Sequence, residues 1–507
     1  MTMAKSASAA VGAALLLLVP WGESLEAQRF HRCFPERVEG PARCGMVTVP
    51  LDHDDPEGPT LDLHVVVLPA TTRPSMPDPV YFLAGGPGGA ATTAASWRSR
   101  ERTGPWAARD LVFVDQRGTG ASGPLKCAPP NGVEVLFRGI NPPDQTLERC
   151  RRRLSDSTDL RFFTTTQSAH DLEIVRGTLG HTAMNLDGGS YGTRLAMEYL
   201  RRHPGSVRTV QLVGVAPVDF RAPLQYARYA QRALDRLFED CRADEACSKA
   251  FPDVERRWTE LMGRLDREPV EVVVRRPEGG LPDTVLYDRD DLAYTVRSML
   301  YGARALELPR RIHDAHRTGD LTEFAQTYLR RMEGLAQRLA LGLHLSVFCS
   351  EDVPFLTDAE VHEATAGTYL GQYIVRDYRR ACSRWVRGPI PGDFHQPVVS
   401  DRPVLILSGR RDPSTPPETG AHVARRLSNV AHVVHRWGGH GFTGTSDEDC
   451  ERRIRAEFLR SGSVRELERS CVADEPPLPF QLIRGDGDPG LPTDSSPTDS
   501  SPPLTGD

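Results

Sequence analysis

Met184-Asn185-Leu186-Asp187-Gly188-Gly189-Ser190-Tyr191-Gly192, followed at once by Thr193-Arg194-Leu195-Ala196-Met197-Glu198-Tyr199-Leu200, is the stretch on which the reading of this 507-residue chain turns. A short apolar run ends in Gly-x-Ser-x-Gly and gives way to apolar residues at helical spacing, Leu195, Met197, Tyr199 and Leu200. The pattern predicts a strand that turns abruptly into a helix, with Ser190 strained at the apex and its hydroxyl exposed. Gly188 and Gly192 fit that turn, because a Cβ at either position would clash where strand and helix nearly touch. Tyr191 would then offer a backbone N–H in the first turn of the helix, where such groups are unpaired and attract anions. By itself the motif also arises by chance in glycine-rich loops, so the flanking sequence has to decide.

Toward the N-terminus, Val80-Tyr81-Phe82-Leu83 and Leu111-Val112-Phe113-Val114 are short, fully apolar runs of the kind buried in the centre of a parallel sheet. The first ends in Ala84-Gly85-Gly86-Pro87-Gly88-Gly89, whose bare backbone N–H groups can converge on an anion. The second leads into Asp115-Gln116-Arg117-Gly118-Thr119-Gly120. Val47 to Leu51 and Leu61 to Leu68, joined by Asp-Asp-Pro-Glu-Gly-Pro, predict an antiparallel pair. Gln167 to Leu179 has helical spacing and closes on Gly180, and Val207 to Val215 is a further strand.

Toward the C-terminus, alternation resumes with a strand at Val404 to Leu407, a helix from Thr415, a strand at Val430 to His435 and a helix from Glu448 to Leu459. Thr415-Pro416-Pro417-Glu418 reads as an N-cap threonine with proline at the helix start. A serine needs a base to take its proton, and the base needs a carboxylate to fix its tautomer. On a sheet carrying this elbow the order is serine, acid, histidine. Asp412 follows the Val404 strand, and His440 follows the next strand within Trp437-Gly438-Gly439-His440-Gly441. Competitors sit less well. Asp393 and Asp401 precede the strand, His432 and His435 lie inside one, and His422 lies in the capped helix.

Composition bounds the rest. Hydrophobic content is 39% and charged content 26%, enough for a packed core, and a net charge of −6 argues against a nucleic-acid partner. The N-terminus reads as a secretory signal: Lys5, an apolar run from Ala9 to Val19, and Leu25-Glu26-Ala27 as a cleavage site. The apolar run is short for a membrane span, so the mature chain is expected to have no integral span and to be secreted, periplasmic or held at the cell envelope. Ten cysteines fit that compartment. Pairing of sequence neighbours is the working hypothesis, Cys33 with Cys44, Cys127 with Cys150, Cys241 with Cys247, Cys349 with Cys382 and Cys450 with Cys471. No Cys-x-x-Cys or matching histidine spacing suggests a metal. The expected organisation is a signal peptide over 1–27, core over 28–219, a mainly helical insertion over 220–394, core again over 395–472, and a disordered Pro/Ser/Asp-rich tail over 473–507 in which Pro-Thr-Asp-Ser-Ser occurs twice in succession.

Taken in order, Gly85-Gly86-Pro87-Gly88, Asp115-Gln116-Arg117-Gly118-Thr119-Gly120, Gly188-Gly189-Ser190-Tyr191-Gly192, Asp412 with Thr415-Pro416, and Gly439-His440-Gly441 resemble the secreted α/β-hydrolase peptidases of the proline iminopeptidase/tripeptidyl aminopeptidase family. The resemblance spans roughly residues 30 to 472 and implies an α/β-hydrolase fold, a mostly parallel sheet flanked by helices, with an inserted helical cap. It implies a catalytic triad of Ser190, Asp412 and His440, an oxyanion hole from the N–H groups of Tyr191 and Gly86, no cofactor, and peptide substrates with a free N-terminus. Many relatives have histidine before the Gly-Gly-Pro-Gly; here it is Ala84, a departure that sets the chain apart from the cytosolic proline-specific branch. An exopeptidase must also hold a cationic α-amine. Glu351 and Asp352, in Cys349-Ser350-Glu351-Asp352, are the candidate anchor, with a solvated acidic turn as the plain alternative. Asp115 and Arg117 are expected to form a loop ion pair bracing the oxyanion region. The triad serves a carboxylesterase or lipase equally well, so esters are the rival substrates, and an inactive hydrolase-fold binding module is the remaining alternative.

Overall fold

The computed structural model describes residues 30–127, 133–137, 141–276, 279, 281–465 and 467–483. The expected signal peptide and most of the expected tail lie outside the described residues. Among the described residues eleven strands occur in chain order: β1 Phe30–Cys33, β2 Ala42–Pro50, β3 Thr60–Leu68, β4 Val80–Leu83, β5 Leu111–Val114, β6 Met184–Gly189, β7 Val207–Val213, β8 Val270–Val274, β9 Asp283–Tyr287, β10 Val404–Gly409 and β11 Val430–His435. Nine form one sheet in the order β1-β2-β3-β5-β4-β6-β7-β10-β11, and β8 pairs with β9 apart from it.

The strands β1, β2 and β3 are antiparallel and lead into β5, while β5, β4, β6, β7, β10 and β11 run parallel. This division follows from sequence. Every residue of β4 and β5 is buried, as strands covered on both faces require, whereas β2 alternates buried and exposed positions as an outer strand with one wet face does. One face of the sheet packs Tyr81, Leu186 and Val210 against helix residues such as Leu195; the other packs Phe82 and Phe113 against Trp106 and Leu459. The α/β-hydrolase architecture expected from the sequence is present.

Between β7 and β10 the chain is mainly helical, with Ala222–Ala243, Val254–Arg267, Arg289–Met299 and Thr322–Arg338 among its helices. They enclose a core of their own around Leu234, Trp258, Leu292 and Tyr328. The β8–β9 ladder in this region was not expected. Its Val-Glu-Val-Val-Val run buries alternate residues on the helices, a period-two signal too short to stand out among charged neighbours. One segment leaves the cap and descends onto the sheet: Leu343, Leu345 and Val347 pack with Leu125, Leu147 and Tyr191.

All ten cysteines pair as sequence neighbours, Cys33–Cys44, Cys127–Cys150, Cys241–Cys247, Cys349–Cys382 and Cys450–Cys471. Among the described residues no helix is long and apolar enough to cross a membrane.

The first residues of the expected tail, 473–483, lie among the described residues. Most of them are exposed, but Glu475 is buried and inserts its carboxylate beneath the sheet edge. It takes a 2.5 Å hydrogen bond from His435 Nε2 and 2.9 Å bonds from the Asp447 N–H and the Ser446 hydroxyl. Leu478 and Phe480 lie on the cap core. A buried polar anchor followed by two apolar contacts outweighs the proline-rich composition that suggested disorder.

Candidate active site

The turn after β6 has the geometry its sequence requires. Ser190 sits at φ 54°, ψ −122°, a left-handed conformation that costs a non-glycine residue about 1–3 kcal/mol and is kept where structure over-determines it. A Cβ on Gly188 would lie 2.6 Å from the Gly192 carbonyl oxygen, and one on Gly192 would lie 2.0 Å from that of Leu83. Only glycine fits either place. The serine is pinned from both sides: its N–H donates to Val213 O at 2.8 Å, and its carbonyl accepts from Thr193 N at 2.9 Å.

The acid and the imidazole arrive on neighbouring strands. His440 Nδ1 donates to Asp412 Oδ2 at 2.7 Å. Asp412 also accepts from the N–H groups of Ser414 at 2.8 Å and Thr415 at 2.9 Å, and from the Thr415 hydroxyl at 2.9 Å. Burial alone would raise the pKa of this carboxyl. The imidazole and the two backbone donors outweigh it and hold Asp412 ionised, below its ordinary range.

The ring of His440 lies over Gly214, where a Cβ would come within 3.0 Å of Cε1. Gly214 directly follows Val213, whose carbonyl holds Ser190, so one strand end seats both groups. The His440 N–H donates to Tyr301 O at 2.8 Å, and the two rings are 5.0 Å apart. Among the described residues both side-chain hydrogen bonds of His440 run through Nδ1, and a bond between Ser190 Oγ and Nε2 is not formed. Such contacts commonly tighten only when substrate binds.

The glycine loop after β4 presses on the serine. A Cβ on Gly85 would lie 3.0 Å from Ser190 Cβ, and Gly86 adopts φ +123°. Among the described residues the N–H groups of Gly86 and Tyr191 are not spent on another acceptor. The cap fixes this loop from above. Ala340 N donates to Gly88 O at 2.9 Å, and His344 Nδ1 donates to Pro87 O at 3.0 Å. The Tyr378 hydroxyl donates to His344 Nε2 at 2.7 Å, which needs a neutral ring; burial agrees, pushing the His344 pKa down to about 4.

Three expectations are corrected here. Asp115 and Arg117 do not pair. Asp115 accepts from Thr92 and Ala121 and contacts His64, while Arg117 clasps Asp171 at 2.6 and 2.7 Å and several backbone carbonyls. Their side chains turn to opposite neighbours, and each braces its own stretch of loop.

Glu351 and Asp352 form neither an exposed turn nor an open anchor. They sit on a π-helical turn, Phe348–Asp352, with side chains 0% and 1% exposed. Asp352 takes two 3.0 Å bonds from Arg194 of the elbow helix, and Glu351 takes 2.6 and 2.8 Å bonds from Thr165. They fasten cap to elbow and offer no surface to a substrate amine. Burial first, opposed by Arg194 and Thr165, pushes Glu351 up to about 7.

Thr415 is not the helix cap either. The cap position falls to Pro416, and the threonine hydroxyl reaches Asp412 and lies 3.1 Å from His440 Nδ1. Its spacing, three residues after the acid, was legible but was assigned to the helix. The rejected competitors have other partners: Asp393 with Arg202, His422 with Asp219, His432 with Ser408, and His435 with Glu475. Tyr301, His344 and Arg194 carried no sequence signal, because the first two reach the site from the cap and Arg194, on the elbow helix, finds its partner Asp352 there.

The family described as TAP-like protein matches residues 368–471, which hold Asp412 and His440. The tripeptidyl aminopeptidase of Streptomyces coelicolor is 24% identical over 491 residues, covering 87% of this chain and 84% of its own. The serine protease Hip1 of Mycobacterium tuberculosis is 24% identical over 434 residues, covering 77% and 80%. A carboxylesterase B of Mycobacterium tuberculosis is 26% identical over 421 residues, covering 76% and 78%.

Proposed function

We infer that this chain is an α/β-hydrolase peptidase of the proline iminopeptidase/tripeptidyl aminopeptidase family, and that it cleaves peptide bonds near free N-termini through an acyl-enzyme on Ser190. The observation that carries this is the convergence at one sheet edge of a strained serine, an Asp412–His440 pair and the Gly85–Gly89 loop.

In the proposed reaction Ser190 Oγ adds to the substrate carbonyl carbon while its proton passes to His440 Nε2. The N–H groups of Tyr191 and Gly86 hold the oxygen that becomes an oxyanion; losing one such donor typically costs about 3–4 kcal/mol. As the C–N bond breaks, the proton moves from Nε2 to the departing amine. Water then attacks the ester, gives a proton to His440, and the acid product leaves as that proton returns to Ser190. Asp412 stays ionised throughout and stabilises the imidazolium.

The same reading places the mature protein outside the cytoplasm, in the secreted, periplasmic or envelope fraction, supported by the five disulfides. The similarity to a carboxylesterase keeps an ester hydrolase as the second reading. Peptides with free and acetylated N-termini, incubated beside short acyl esters and analysed by mass spectrometry, decide between them. Release of short N-terminal fragments from the free peptides alone supports the peptidase; turnover of esters without any peptide product overturns it.

A further inference from the structure

Cap and histidine loop meet at Tyr301, two residues beyond the helix Arg289–Met299. Its carbonyl accepts the His440 N–H at 2.8 Å and the Thr443 hydroxyl, and a Cβ on Gly439 would collide with it. A Cβ on Gly444 would likewise lie 2.7 Å from Ala303 N, so glycines on both sides of His440 let its loop close on the cap backbone. The Tyr301 ring stands 5.0 Å from the imidazole, with the two planes 59° apart. One residue thus bounds the base with its ring and holds the loop that carries it with its backbone.

The ring is fixed in turn by Arg297. That guanidinium donates to the Tyr301 hydroxyl at 2.9 Å, with its Cζ 5.3 Å from the ring centre, and the same nitrogen reaches the Ser414 hydroxyl at 3.4 Å. Arg331 Cζ lies 5.6 Å from the same ring. Ser414 holds the acid, giving its N–H to Asp412 at 2.8 Å. Arg297 therefore touches a neighbour of the base and a neighbour of the acid.

Arg297 is 5% exposed and forms no ion pair among the described residues; the groups around it are tyrosines. A buried charge is costly unless something compensates it. Here the negative end of its own helix, in whose last turn it lies, and the rings of Tyr226 at 4.5 Å and Tyr301 take that part. Moving the Tyr301 ring would forfeit some of that compensation, so ring and guanidinium fix each other.

We propose that Arg297 and Tyr301 are positioning residues for the reaction, a brace from the cap that holds the His440 imidazole and the Asp412 loop in register. The proposal rests on the acyl-enzyme reading of Ser190. It applies to amide and ester substrates alike, because the brace acts on the base and not on the leaving group.

The test measures, in the full chain, labelling of Ser190 by a fluorophosphonate probe, steady-state hydrolysis of a short acyl ester, and the proton resonance of the His440 Nδ1–H. Tyr301→Phe removes the hydroxyl and keeps ring and carbonyl; Arg297→Met removes charge and donor together. The labelling rate constant and kcat should fall about two- to tenfold in Tyr301→Phe, the range of one hydrogen bond, and at least as far in Arg297→Met. KM should change little, Arg297→Lys should recover part of the loss, and the Nδ1–H resonance should shift or broaden in the impaired variants. The fraction of protein that labels reports folding. A purely structural role lowers that fraction and leaves the rate constant of the rest unchanged, which overturns the inference. A raised KM with an unchanged labelling rate overturns it too, because the two residues would then line the substrate pocket. In both cases Ser190 still labels and the acyl-enzyme reading stands. Failure of the unaltered enzyme to label at Ser190, or undiminished ester turnover by Ser190→Ala, overturns that reading and the inference with it.

Discussion

Thr415 Oγ1 donates a 2.9 Å hydrogen bond to Asp412 Oδ2, the same oxygen that takes the Nδ1–H of His440. The threonine thereby fixes the carboxylate plane that orients the base. Thr415→Val removes the donor but keeps the shape. A hydrogen bond to a charged group contributes about 1.5–3 kcal/mol, so kcat should fall roughly tenfold to a hundredfold with KM little changed, and Thr415→Ser should recover most of the loss. Steady-state kinetics on one peptide substrate measure this.

Arg194 is the only guanidinium shown contacting both Glu351 and Asp352 among the described residues, at 3.5 and 3.0 Å. Arg194→Met would leave two buried carboxylates short of a cation, a change of about 3–5 kcal/mol in a buried pair. The denaturation midpoint should drop accordingly. A surface arginine such as Arg256, paired with Glu260 in open solvent, should leave the midpoint nearly unchanged when replaced by Met.

Acid lability follows from three histidines that burial holds neutral. His170, His181 and His344 each have a pKa pushed down to about 4, against about 6.5 in the unfolded chain. Between those values the unfolded state binds more protons, so stability is fully present above pH 6.5 and is lost as pH falls toward 4. Glu351 has the opposite slope: its raised value means the folded state holds the proton, so its contribution is present below about pH 4.5 and lost as pH rises through about 7. Unfolding midpoints from pH 4 to 8 should therefore show a shallower acid limb in His344→Gln and a shallower neutral limb in Glu351→Gln than in the unaltered protein.

The oxyanion loop depends on a cap residue remote from it in sequence. His344 donates to Pro87 O while Tyr378 donates to the far side of the ring. Tyr378→Phe removes only the second of these. The loop should be held less firmly, with kcat lowered several-fold, KM little changed and acyl-enzyme formation slowed in pre-steady-state kinetics.

What could be read in the sequence was whatever is local. The elbow declares itself because Gly188, Ser190 and Gly192 must be adjacent, and Asp412 and His440 because each directly follows a strand whose apolar run is plain. The disulfides were legible because each closes a short loop. Interactions across the cap left no such trace. Glu351-Asp352 reads as a surface turn until Arg194, 157 positions from Glu351, is brought beneath it. Glu475 reads as tail until His435 meets it. Thr415 misled for another reason: one residue satisfied two local patterns, helix cap and carboxylate clamp, and the buried carboxylate of Asp412 takes the stronger hydrogen bond.

The central claim is that Ser190 is a nucleophile activated by His440. The direct measurement is mass spectrometry of the protein after treatment with a fluorophosphonate probe. The account predicts a single stoichiometric adduct on the peptide containing Ser190, formed far more slowly in His440→Ala and absent in Ser190→Ala. An adduct on another residue, or labelling of Ser190 at an unchanged rate without the imidazole, would contradict it.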